Sequence, residues 1–189
     1  MNNMCDKALD LLEQLPCKPD NTFYAVVFNA CAQLCDDRAK QIGMKLLKQI
    51  SSHSLNDNVL LTSAIDMLMR FGDVTKAEQL LEKIQEKDIV TYSAMMNGYN
   101  LNHQPSKCFH ILQQMKQNNI VPDVIASVIL IGACAQLGML SRCQSVLHHI
   151  PSHLHHHQQI SNALIHMWAS VHSSHSFFYL FYSSFFSFL

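Results

Sequence analysis

Charge of either sign is scarce in this 189-residue chain: Asp, Glu, Lys and Arg make up 14% of it, and 13 basic residues stand against 14 acidic ones for a formal net charge of −1. No strong overall field therefore draws it toward a phosphate backbone. Glycine and proline number only five each, and alternating β-branched runs are few, which leaves strands with little support. The seven cysteines (5, 17, 31, 35, 108, 134 and 143) show no paired CxxC spacing, so a cysteine-based metal or disulfide framework has no footing and a reducing compartment is implied. A Gly-rich phosphate loop, a convincing Ser/His/Asp set and an HxE followed by PCxxC are all missing. The sequence predicts no catalysis and no cofactor.

What is present is periodicity. A small residue followed by apolar residues three, four and seven places later occurs at Ala8 with Leu11, Leu12 and Leu15; at Gly43 with Leu46, Leu47 and Ile50; at Ala77 with Leu80, Leu81 and Ile84; at Cys108 with Ile111, Leu112 and Met115; and at Cys143 with Val146, Leu147 and Ile150. That spacing makes one stripe along a helix, and the small residue lets a partner helix approach closely. The starts step by 35, 34, 31 and 35 residues, which leaves room for one further helix and two turns per unit. Such a unit is a helical hairpin, and the chain is expected to be an all-α solenoid with 49% apolar residues to fill its core. A second period agrees: ACAQL at 30–34 returns at 133–137, and Pro19-Asp20 returns as Pro122-Asp123 with the same offset. Cys31 and Cys134 share one place in ACAQL, while Cys108 and Cys143 stand where other copies carry Ala or Gly, so these four read as small buried residues.

Along the chain, residues 1–20 read as the second helix of a truncated unit. A full hairpin follows over 21–57, with helices near 22–34 and 38–51. A shorter one spans 58–88, with Gly72 ending its first helix and Asp73 capping the second. The unit at 89–123 has Pro105 near the start of its second helix, where a missing amide proton costs nothing. A fourth covers 124–157 with a glycine turn at Gly138, 158–169 opens a partial fifth, and 170–189 is a low-complexity tail. The Phe/Tyr/Leu/Ser stretch from Phe177 to Leu189 is too short to span a bilayer, which needs about 20 residues. Nine of twelve histidines lie from His148 onward. His149, His153, His156 and His157 could reach one face only across a break at Pro151, so the run reads as adventitious chelation and no metal site is expected.

The hairpin from IVTYSAMMNGY to MKQNNIVPD closely resembles a pentatricopeptide repeat, in which each helix pair ends in a Pro-Asp-like turn. TFYAVVFNACAQL and VIASVILIGACAQLGML look like its long variant, and SAIDMLMRFGDVTKAEQLLEKI like its short one. Their order, long, short, standard, long, short, is similar to that of the triplet-arrayed branch of the family. The resemblance covers roughly residues 1–169. It implies a right-handed α-solenoid whose first helices line a concave surface, each repeat meeting about one unpaired RNA base.

By the same resemblance, the residue after the first helix's aromatic position and the last residue of the repeat read the base edge. These are Ser93 with Asp123 in the standard repeat and Thr62 with Asp88 in the short one. A hydroxyl with an aspartate resembles the family's guanine-preferring combination, because a carboxylate accepts from the N1 and N2 protons of guanine while the hydroxyl adds a directed bond. Val59 and Val90 match the apolar positions that wedge between bases. Ala25, with Asp57, and Val128 hold the hydroxyl position in the long repeats and cannot hydrogen-bond a base, and Asn162 holds it in the partial repeat. Thr62 and Ser93 also fit as plain helix-start hydroxyls, and Asp88 and Asp123 as turn or cap residues.

The expected partner is single-stranded RNA, bound weakly by so short an array, with a deaminase or other processing factor acting in trans and no membrane. The family's location implies a mitochondrion or plastid, otherwise the cytoplasm. MNNMCDKALDLLEQL carries no transit-peptide features and reads as an incomplete N-terminus. Two other readings stand beside this one: a tetratricopeptide-like protein scaffold, and an incomplete gene product with no activity.

Overall fold

The computed structural model describes residue 7 and residues 20–50, 57–138 and 145–171, with the side chain of residue 171 left out. The helix expected before residue 20, the stripe residues Ala8 and Cys143, and the tail beyond residue 171 lie outside the described residues. Among those described, all regular structure is helical: α1 (Asn21–Leu34), α2 (Asp37–Leu47), α3 (Asn58–Arg70), α4 (Val74–Lys83), α5 (Ile89–Leu101), α6 (Ser106–Gln117), α7 (Val124–Leu137), a 3-10 turn at Ser152–Leu154, and α8 (Gln158–Val171). The fold is an all-α solenoid of helix-turn-helix repeats.

Two compact units divide the chain, Met1–Asn102 and His103–Leu189. In the first, α1 packs on α3 and α3 on α5, while α2 folds back on α1 and α4 folds back on α3 and reaches α5. Helix α3 is thus packed on by α1, α4 and α5, and α2 reaches it at Gly43. Leu60, Leu61, Ala64, Ile65, Met67 and Leu68 are all fully buried around it as a result. In the second unit α7 packs on α8 and α6 on α7.

The small-residue stripe is buried at most of its expected positions, with Leu47, Ile50 and Leu147 half-buried. Gly43, Ala77 and Cys108 are buried, and Leu80, Leu81, Ile84, Ile111, Leu112 and Met115 are buried after them. A side-chain carbon at Gly43 would meet the Met67 thioether of α3, whose flexible end would have to swing aside. Burial pushes the Cys108 thiol up to about 12, which keeps it neutral and marks it as a packing residue. Cys31 and Cys134 are likewise fully buried.

The turns follow local chemistry. Gly72 and Gly138 take left-handed φ values of 79° and 63° at helix ends, and Asp73 accepts the Lys76 amide to start α4. Cys35, at the place in α1 that Gly138 holds in α7, adopts φ 51° without glycine's freedom. Pro105 stands at the N-cap of α6 with φ −63°. Helix α2 ends at Leu47, short of the expected residue 51, because the Gln49 amide bonds back to Leu46 and tightens the chain into a turn. Helix α8 runs two residues beyond the expected Ala169.

Candidate nucleic-acid interface

Every helix that opens a hairpin starts from an acceptor side chain one residue before it. Asp20, Asp57, Asp88 and Asp123 each turn a carboxylate oxygen back onto the amide three residues on, at Phe23 (2.8 Å), Leu60 (3.1 Å), Thr91 (2.8 Å) and Ala126 (2.8 Å). His157 stands before α8, and its Nδ1 accepts the Gln159 amide at 3.3 Å. Amides in the first turn have no intrahelical partner, so each cap satisfies a donor the helix cannot. The cap role weighed for Asp88 and Asp123 is therefore filled. It occupies only one oxygen of each.

At Asp88 the arrangement goes further. Thr91 Oγ1 donates to Asp88 Oδ1 at 2.7 Å, beside the Thr91 amide on the same oxygen, and lies 2.9 Å from Thr62 Oγ1 on the neighbouring helix α3. Thr62 and Asp88 are thus joined through Thr91, which is fully buried while Thr62 is half-buried and Asp88 exposed. No hydrogen bond to Asp88 Oδ2 occurs among the described residues. Asp57 differs, because its Oδ2 already accepts from Asn21 Nδ2 at 3.2 Å.

Ser93 belongs to the first unit and Asp123 to the second, and each is described within its own. Ser93, on α5, is 8% exposed and its hydroxyl has no partner among the described residues. Asp123 is exposed and caps α7. Of the other expected positions, Ala25 is buried, Val128 half-buried and Asn162 exposed.

Val59 and Val90 are 70% and 61% exposed, each the second residue of its helix. Apolar side chains so placed have no protein to cover them. In the second unit Ile125, second in α7, is likewise 61% exposed. Sequence reasoning passed over Ile125 although the register of Val59 and Val90 gives it directly. It also passed over Thr91, for which the spacing Asp88-x-x-Thr91 was the available signal.

Among the described residues no three His, Cys, Asp or Glu side chains are placed to hold a metal ion, and no helix is long and apolar enough to cross a membrane. His149 Nδ1 instead meets the Ser145 carbonyl, and a His155 ring nitrogen the Ile150 carbonyl.

Comparison with known proteins gives matches that bracket this site. Residues 87–136 match the PPR repeat family and residues 59–89 match the PPR repeat. A putative pentatricopeptide repeat-containing protein of Arabidopsis thaliana is 30% identical over 123 residues, 65% of this chain and 18% of its own length. A chloroplastic pentatricopeptide repeat-containing protein of the same plant is 29% identical over 143 residues, 74% of this chain and 16% of its own. A mitochondrial one is 32% identical over 124 residues, 65% of this chain and 18% of its own. The chain thus spans less than a fifth of the length of these three relatives.

Proposed function

Because the chain belongs to the pentatricopeptide repeat family, we propose that it binds single-stranded RNA, about one base per repeat, without chemistry of its own. Its units would be those of the triplet-arrayed branch, 21–57, 58–88, 89–123, 124–157 and a partial 158–169. The observation that carries this reading is the row on α3 and α5, where the Thr62 hydroxyl and the open oxygen of Asp88 stand on the same two helices as the uncovered Val59 and Val90. Exposed aliphatic side chains offer flat apolar surface against which a base can rest. Acceptors beside them select bases with donors.

Thr62 with Asp88 would take one guanine and Ser93 with Asp123 the next, with Val59 and Val90 between successive bases. A phosphate would be repelled by either aspartate, so base edges must face them. Ala25 with Asp57, Val128 and Asn162 would contribute contact without guanine selection. Each engaged base is worth ~1–3 kcal/mol, so four repeats supply ~4–12 kcal/mol against an association cost of at least ~4 kcal/mol. Binding by this length of array is weak. The targets would be transcripts of a mitochondrion or plastid undergoing processing, editing or stabilisation, with any deaminase supplied in trans.

Selection of RNA from a random pool on the full chain at low salt tests the proposal. The expected result is enrichment of two adjacent guanosines, lost at one position with Asp88→Asn and at the other with Asp123→Asn. Asparagine still caps a helix, so these variants stay folded. A pool with no enrichment at low salt overturns the reading.

A further inference from the structure

The four aspartates that cap hairpin-opening helices differ at the third residue of the helix each one starts, which is Phe23, Leu60, Thr91 or Ala126, and among the described residues only Asp88 receives a hydroxyl on its capping oxygen. A threonine hydroxyl carries one proton. With a carboxylate at 2.7 Å and a neutral hydroxyl at 2.9 Å, the Thr91 proton goes to Asp88, since a bond to a charged acceptor is the stronger. The contact with Thr62 then has only one polarity: Thr62 donates and Thr91 accepts. Thr62 is left with lone pairs and no proton to offer, and Asp88 Oδ2 is an acceptor as well.

We propose that Thr91 is a specificity-determining positioning residue that turns Thr62 into a pure acceptor, so that the Thr62/Asp88 couple takes a base edge with two adjacent donors. This inference rests on the base-reading role proposed above for Thr62 and Asp88. Guanine presents such an edge in its N1 and N2 protons. Adenine presents one donor, N6, beside an acceptor, N1, and that acceptor would face the Thr62 lone pairs. A hydroxyl free to rotate would donate to adenine N1 while Asp88 accepted from N6, and would tolerate both purines. Thr91 removes that freedom from a fully buried position, where it meets no base itself.

The test uses the full chain with Ser93→Ala, which every protein named below carries so that the Ser93/Asp123 couple offers no second guanine site. Its ligands are oligouridines carrying a single guanosine or a single adenosine, with binding followed by fluorescence anisotropy at low ionic strength and folding by circular dichroism. This parent should favour guanosine over adenosine by about tenfold or more, the discrimination expected of one well-placed bidentate contact. Thr91→Val should bring that ratio to within about threefold, by strengthening adenosine binding as well as weakening guanosine binding, because a single hydrogen bond is worth only ~1 kcal/mol net. Thr91→Ser, which keeps the hydroxyl, should restore the ratio. Thr62→Val deletes the acceptor instead of freeing it, so it should weaken guanosine binding with no gain for adenosine, and it serves if Thr91→Val does not fold.

A Thr91→Val protein that weakens on both purines alike, or keeps the original ratio, overturns the role of Thr91 while leaving base reading in place. A Thr62→Val protein that gains adenosine affinity or keeps its guanosine affinity overturns it too. A parent without preference for guanosine removes the underlying reading itself.

Discussion

Two buried glycines, given the same extra methyl group, should answer in different ways. A carbon added at Gly98 on α5 would lie 2.6 Å from Met69 Cβ and 2.7 Å from its Sδ on α3, and Met69 is 1% exposed. Cβ moves only with its backbone, so Gly98→Ala has to separate the two helices. Overpacking of this kind costs ~1–3 kcal/mol, against a gain in helix propensity of ~1 kcal/mol. With a backbone-fixed carbon as the obstacle, the upper end of that cost applies and the net loss is about 2 kcal/mol, or roughly 4–8 °C in Tm for a chain of this size. At Gly43 the obstacle is the Met67 sulfur and terminal methyl, which swing aside for ~0.5–1.5 kcal/mol. Propensity offsets that, so Gly43→Ala should melt within about 2 °C of the parent. Thermal unfolding followed by far-ultraviolet circular dichroism measures both. Equal melting of the two variants refutes the reasoning, as does a Gly98→Ala protein at least as stable as its parent. Parting α5 from α3 would also stretch the 2.9 Å contact between Thr91 and Thr62 on which the proposed base preference rests.

Cys35→Gly should stabilise the chain by about 0.5–1 kcal/mol, since φ 51° strains a residue with a Cβ, and an unchanged urea midpoint would show that the strain is not there. Tyr99→Phe removes the 2.9 Å bond from the Tyr99 hydroxyl to Glu78 Oε1, which links α5 to α4, and should cost about 1 kcal/mol in chemical denaturation; no measurable loss would mean that the bond is not formed in solution. With the Cys108 thiol held at about 12, iodoacetamide at pH 9 should label exposed Cys35 and leave Cys108 unmodified until urea unfolds the chain, as read by peptide mass spectrometry. An unfolded thiol ionises nearer 9, so the stability Cys108 contributes is complete below that pH and is lost as pH rises toward about 12.

The hairpin helices were legible because their signal is local: Gly43, Ala77 and Cys108 head stripes whose spacing depends on nothing but helical geometry. Turn glycines 72 and 138 and the capping role of Asp73 were legible for the same reason. Helix α2 ended early because a single backbone bond at Gln49 decided its last turn, and no side-chain period records such a bond. Asn102 shows what the sequence withholds. Its Nδ2 donates to the Met69 carbonyl at 2.7 Å and the Gly98 carbonyl at 2.8 Å, tying the end of α3 to that of α5, and neither acceptor is a side chain that a motif could reveal. Resemblance supplied Thr62, Asp88, Ser93 and Asp123 as candidates, but the proton order along Thr62, Thr91 and Asp88 exists only once α3 and α5 lie side by side.

The aspartate that closes one hairpin and begins the next has a consequence for how such arrays change over generations. Because the acceptor for a helix start travels with the unit ahead of it, whole units can be gained, lost or exchanged by recombination and every new junction is already complete. The same arrangement limits the alphabet at that position. Any residue installed there must still accept an amide proton, which admits Asp, Asn, Ser, Thr and, as at His157, a histidine, and penalises aliphatic side chains. The base reading proposed for this position could then change only within the vocabulary that folding permits.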